Sequence, residues 1–399
     1  MALFQSGDLG AGVRGGIVGV GPVLHLCSDY ARQRLYPQLM SALDDAGVAQ
    51  SVYVPVRTRE ETDVPGPPRQ NIRFYARHVL RPYHRLLFTA KLRVVNADLA
   101  GVEDPRRFGL VHAHFLYSDG GVAHRLHVRY GLPYVAAIRN TDLNVFMRLR
   151  PDLRSTMHRI VASASGLIFL APAYREQFLA RLPEELARTV SGRCRVIPNG
   201  LEAPWLAAPP SAVDRTGAPL RVLYVGDFTP NKNVLRLMEA AARVAAHRAV
   251  ELTLVGGGGE GAAPVDAALS SGRFPFVRHL GPVRDDECLR ELYRAHDMLA
   301  MPSLRETFGL VYIEALSQGT PVLLSKGQGV DGYFPHGAVA HAVDPLSVDD
   351  IVRGIDLLAA RGAGQRAACI SAAQPFAWPR IAQTYRELYS SVARIPEAA

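Results

Sequence analysis

The chain has 399 residues, too many for one ordinary core, and 48% of them are hydrophobic, the share expected of a globular protein. Its four cysteines, Cys27, Cys194, Cys288 and Cys369, stand far apart without a C-x-x-C pair, which argues against a disulfide framework or a zinc site and fits a reducing cytosol. The net charge of +8 divides unevenly, +10 on residues 1–200 and −2 on residues 201–399, so an anionic partner is expected on the first half.

Residues 1–22 are small and Gly-rich, without a basic segment followed by a continuous apolar one, and read as a loose tail rather than a signal peptide. No apolar run reaches the ~18 residues of a membrane span. Strands are expected at 23–27, 51–56, 110–115, 133–139, 166–171 and 194–199, five or six to a sheet, with Ala-, Leu- and Arg-rich segments between them. Arg73, Arg77, Arg81 and Arg85 recur every four residues among aromatic and aliphatic side chains, which predicts a basic helical face able to rest on anionic lipid or grip an anionic acceptor. His112 and His114 alternate along one strand and share a face; no third ligand is apparent, so His114 is expected to hydrogen-bond in a cleft, and no metal is expected.

Residues 200–219 hold four prolines without sustained periodicity and read as a linker. Beyond it, strands are expected at 221–226, 251–256, 276–281, 298–302 and 321–325. The alternation defines an α/β chain of two Rossmann-like, doubly wound domains facing across a cleft, at 1–199 and 220–378, with a closing segment at 379–399.

The stretch SLRETFGLVYIEALSQGTPV, 303–322, carries two acids, Glu306 and Glu314, around a mostly apolar run. Following a strand, Glu306 falls in the loop at its carboxyl end, and a helix is expected to begin near Phe308 or Gly309. The amides of Gly309, Leu310 and Val311 would then face the cleft, ready for a diphosphate. One carboxylate on each side of that helix end could accept hydrogen bonds from the hydroxyls of a sugar and of a ribose.

The run ETFGLVYIEAL followed by GTPV resembles the E-x7-E element of retaining GT-B glycosyltransferases, in particular glycosyltransferase family 4. VIPNGLE at 196–202, LYVGDFTPNKN at 223–233, LTLVGGGG at 252–259 and HLGPV at 279–283 follow in the order of that family. The resemblance implies that Glu306 contacts the donor sugar, Glu314 the ribose, the backbone of Phe308 to Val311 the phosphates, Lys232 the diphosphate, and that Gly226 lets the chain approach closely. Asp227 stands where the family usually has a basic residue. In AIRNTDLN, Asp142 matches a family aspartate and Arg139 replaces a common histidine; with Glu306 and His114 these form the expected catalytic group.

The resemblance further implies a nucleotide-diphosphate sugar donor, no metal or other cofactor, and a hydroxyl acceptor on the N-terminal domain. With the basic first half, that acceptor is expected to be anionic or lipid-linked, as in polysaccharide or glycoconjugate synthesis, at a cytoplasmic location with peripheral contact to the inner membrane face. The closing segment is expected to cross back to the first domain. Competing readings are a glycosyltransferase of small natural products, an epimerase or phosphorylase on the same scaffold, and a non-catalytic GT-B partner subunit. A nucleic-acid binder is disfavoured, because the basic residues are scattered without a recognisable module.

Overall fold

The computed structural model describes residues 21–67, 69, 72–207, 209 and 219–395. Residues 1–20 of the expected tail and half of the expected linker therefore fall outside the described residues; within the linker, Ala203–Leu206 forms a short helix. The first sheet contains β1 (Val23–Leu26), β2 (Gln50–Val56), β3 (Arg73–His78), β4 (Leu110–Ala113), β5 (Tyr134–Ile138), β6 (Gly166–Phe169) and β7 (Cys194–Val196) in the order 3-2-1-4-5-6-7. The second contains β8 (Leu220–Val225), β9 (Val250–Val255), β10 (Val277–Gly281), β11 (Met298–Ala300), β12 (Val322–Ser325) and β13 (Ala340–Val343) in the order 10-9-8-11-12-13. Every pairing between neighbouring strands is parallel. Helices cover both faces of such a sheet, which is why VLHL, YVAAI and GLIF are buried at every position.

Two strands were missing from the sequence expectation, β3 and β13. The first corrects the basic helix at 73–93. Residues Arg73–His78 form an edge strand, Pro82–Arg85 a 3-10 turn, and the helix begins only at Phe88, running to Val102. On β3 the side chains of Arg73, Tyr75 and Arg77 share a face, and they turn to acids of that helix region. Arg77 forms a two-pronged bond to Asp98 at 3.0 and 2.8 Å, while Arg73 at 3.3 Å and the Tyr75 hydroxyl at 2.8 Å reach Glu103.

The helix Trp378–Val392 leaves the second domain and lies on the first. Its Ile381, Ala382, Tyr385, Leu388 and Tyr389 share a core with Val23, Leu110, Val135 and Ile168 of β1, β4, β5 and β6. Where the crossing starts, Gly200 lies under the indole of Trp378, and a Cβ there would come within 2.2 Å of the ring. Both sheets reverse their strand order beside their first strand, between β1 and β4 and between β8 and β11. In open parallel sheets, ligands bind where the loops at these reversals part. Here the two openings face each other.

Candidate active site

A cavity of about 660 Å³ lies between the domains, walled by the segments that leave these strands: Asp29 after β1, Phe115 after β4, Arg139 after β5, Gly226 and Asp227 after β8, and Met301 and Glu306 after β11. One helix dominates its second wall. Leu310–Ser317 begins at Gly309, whose φ of 76° is a left-handed conformation. Only glycine fits here, since a Cβ would stand 2.4 Å from the Tyr312 ring. No side chain caps this helix, so its first amides are left for a ligand at the cavity wall.

Glu306 and Glu314 bracket that helix end. The Glu306 carboxylate accepts a hydrogen bond from Lys232 Nζ at 2.7 Å and from the amide of Thr307 at 3.1 Å, and its backbone carbonyl accepts the Tyr174 hydroxyl at 2.5 Å. Lys232 and Glu306 thus satisfy one another. Glu314, half-buried, accepts the Tyr293 hydroxyl at 3.0 Å. Burial, with the Asp286 charge adding to it and the Tyr293 bond opposing it, pushes the Glu314 carboxyl up to about 7.

The facing wall is basic. Arg34 is exposed there, and Arg139 is buried to 6% exposure with its Nε donating to the His114 carbonyl at 3.2 Å. With Lys232, these guanidinium groups are the cations of the cavity lining, which also carries the acids Asp29, Glu202, Asp227 and Asp286 beside Glu306 and Glu314. Asp142 does not form a side-chain ion pair with Arg139. Its two oxygens accept the backbone amides of Arg139 at 2.9 Å, Leu116 at 3.2 Å and Tyr117 at 3.4 Å, tying the loop after β5 to the loop after β4. Burial outweighs these bonds and raises the Asp142 carboxyl to about 6. Asn140 donates to Thr307 Oγ1 at 3.1 Å, joining the two walls.

His114 is fully buried behind the first wall, not in the cavity. The hydrogen bond expected in the cleft is made instead between its Nε2 and His25 Nδ1, at 3.1 Å. His112 Nδ1 lies 2.7 Å from the Tyr389 hydroxyl. The expectation that no third ligand accompanies the two histidines also needs correction. β1 pairs with β4 so that His25 lies beside His112, and one nitrogen from each of the three rings falls within 4.8 Å of the others. Burial lowers His25 to about 3 and holds the other two well below the usual imidazole range, so all three are neutral. The triad includes no carboxylate and packs under the helix Trp378–Val392, behind the cavity wall.

Two parallel α/β domains that oppose their strand reversals across such a cavity define the GT-B architecture. Solved structures share it: sucrose-phosphate synthase from Thermosynechococcus elongatus superposes with a TM-score of 0.71 at 21% identity, covering 93% of this chain and 100% of that one. The Anabaena protein HepE in complex with UDP-glucose gives 0.65 at 18% identity, again over 93% and 100%. Residues 213–375 match the family described as glycosyl transferases group 1, so the C-terminal domain belongs to that family. D-inositol 3-phosphate glycosyltransferase of Mycobacteroides abscessus is 29% identical over 303 residues, 72% of this chain and 67% of that protein. The protein of the same name from a Mycobacterium species is 31% identical over 292 residues, 68% of this chain and 64% of that protein. The motifs that first carried the resemblance lie mostly within the matched segment.

Sequence reasoning missed Tyr174, Tyr293 and His25. Each reaches its partner across a long separation in the chain, and no local pattern marks it.

Proposed function

We propose that this protein is a retaining glycosyltransferase that moves a sugar from a nucleoside diphosphate to a hydroxyl of an anionic acceptor without a metal ion. The observation that carries the reading is the placement of Glu306 with Lys232 on one side, and Glu314 on the other, of the uncapped helix end at Gly309. Glu314 would receive the ribose hydroxyls, the amides at Gly309 to Val311 and Lys232 the diphosphate, and Glu306 the sugar hydroxyls. The bond from the anomeric carbon to the acceptor oxygen forms on the face from which the diphosphate leaves, and the acceptor proton passes to the departing phosphate oxygen. Helix amides and Lys232 offset the charge growing on that oxygen, the electrostatic role a metal plays elsewhere.

HepE with UDP-glucose bound supports a nucleotide-sugar donor. Relatives named for inositol 3-phosphate support a phosphorylated acceptor. Arg139, Asp142 and His114 are assigned to shaping the acceptor wall, and of the three Arg139 lines the cavity itself. The location proposed is cytoplasmic, with peripheral contact to the membrane face. No helix among the described residues is long and apolar enough to cross a membrane. Exposed Leu86, Leu87 and Leu149 support contact at its surface, beside Arg150, whose guanidinium reaches the Arg85 carbonyl at 3.4 Å.

The test is a thermal-shift panel of UDP-, GDP-, ADP- and dTDP-sugars in EDTA, followed by NMR of the product anomer. A ligand at a hundred times its dissociation constant adds about 2.7 kcal/mol of stability. No shift with any nucleotide sugar removes the donor assignment, activity abolished by chelator and restored by Mn²⁺ removes metal independence, and an inverted anomer removes retention.

A further inference from the structure

Beside the donor cavity, within the N-terminal domain, lies a second chamber of about 310 Å³. Asp29, Phe115 and Thr141 line both, so the two spaces adjoin. Lys91, on the helix Phe88–Val102, lines the chamber, although it is only 8% exposed. Its ammonium has three protons to donate and makes one hydrogen bond, to Ser118 Oγ at 2.7 Å. Among the described residues no carboxylate lies within ion-pair distance of it. A buried ammonium held by one hydroxyl is an uncommon arrangement, because desolvation is offset only when the charge is paired.

We propose that this chamber is an anion subsite in which Lys91, assisted by Arg57, holds a phosphate group of the acceptor. The inference rests on the transferase reading for the word acceptor, but the anion site stands on its own geometry. Arg57 lines the same chamber. Burial disfavours the Lys91 charge most; Asp119 supports it and Arg57 opposes it. Asp119 is a weak counter-ion, since burial pushes its own carboxyl up to about 7 and one oxygen already accepts the Ser28 amide at 3.2 Å. The other acids at the chamber are engaged elsewhere. Glu61 accepts the amides of Arg57 at 2.8 Å and Thr58 at 3.3 Å, Asp29 accepts Gln33 Nε2 at 2.9 Å, and Asp142 holds the three amides already described. A phosphate would fill the two remaining donor directions of Lys91 and relieve its repulsion with Arg57.

Its attachment to the rest of the acceptor would run past Phe115 and Thr141 into the donor cavity, where a hydroxyl meets the sugar. A phosphate on a free polyol and one on a lipid headgroup share this chemistry, so the test has two arms.

The experiment is calorimetric titration of the full-length protein, without donor, with myo-inositol 1-phosphate, with inorganic phosphate and with neutral myo-inositol, alongside flotation with vesicles containing a phosphoinositide. Wild type and Lys91→Met are compared, and UDP is titrated into both. The expected result is saturable binding of a soluble phosphate, or of the vesicles, weakened at least about tenfold in Lys91→Met, as when a charge-assisted hydrogen bond is lost. UDP affinity and melting temperature should not fall in the variant, because methionine removes an unpaired charge and keeps the volume. Failure of every phosphate probe to bind wild type, or equal binding to Lys91→Met, overturns the subsite. A wild type that binds phosphate through Lys91 but no nucleotide supports the anion site and removes the transferase reading instead.

Discussion

Glu314 makes its expected contribution to nucleotide binding testable through pH. Burial holds its carboxyl at about 7, and the hydroxyls of a ribose would donate to the ionised form. Binding therefore favours loss of the proton. Nucleotide affinity should fall by about tenfold from pH 8 to pH 6, the change in ionised fraction for a group titrating near 7. The diphosphate titrates too, so the measurement is the difference between wild type and Glu314→Gln in calorimetry. An identical pH profile in the two would remove the ribose contact. A second prediction concerns Lys232 and Glu306, whose side chains are 24% and 11% exposed. Lys232→Met strands the acid and should lower stability by about 1–3 kcal/mol and donor kcat/KM by about a hundredfold or more. Adding Glu306→Gln should recover the melting temperature without recovering activity. These residues were legible in the sequence because each falls in a short motif whose order is fixed by the chain. The weak pairing of Lys91 was not, because only folding reveals that no carboxylate among the described residues lies within ion-pair distance of it.

The cleft helix and the helix Phe88–Val102 give opposite expectations for the same substitution. Gly309→Ala introduces a side chain at a φ of 76° and against the Tyr312 ring, so it should cost about 1–3 kcal/mol and displace the amides proposed to face the diphosphate. Gly101→Ala lies in an ordinary helical turn where an added Cβ meets nothing within 4 Å, and it should add about 0.5–1 kcal/mol. Thermal melts with and without nucleotide measure both. Elements with continuous apolar runs, such as β5 and β6, could be read from sequence. The edge strand β3 could not, for a physical reason. A four-residue spacing places side chains on one face of a helix and equally on one face of a strand, so Arg73 and Arg77 satisfied either period. Their acidic partners, Asp98 and Glu103, lie more than twenty residues on and became visible only when the helix packed beside the strand.

At the scale of the molecule, the two domains and their facing openings followed from the alternation of strands with helical segments. The excess positive charge of the first half read as a surface for partners, yet Arg77 and Arg73, which the sequence placed on that surface, pair with Asp98 and Glu103. The helix Trp378–Val392 adds an effect that neither domain has alone. Its apolar side chains in the N-terminal core contribute on the order of 10 kcal/mol by burial. A chain stopped at Ala377 should therefore keep a protected second sheet under limited proteolysis while β1, β4, β5 and β6 become susceptible to cleavage; equal protection of both sheets would show that the helix is dispensable. During synthesis the order matters in another way. The domain that emerges first from the ribosome waits for residues translated almost two hundred codons later, so part of the apolar face of its sheet stays uncovered through that interval.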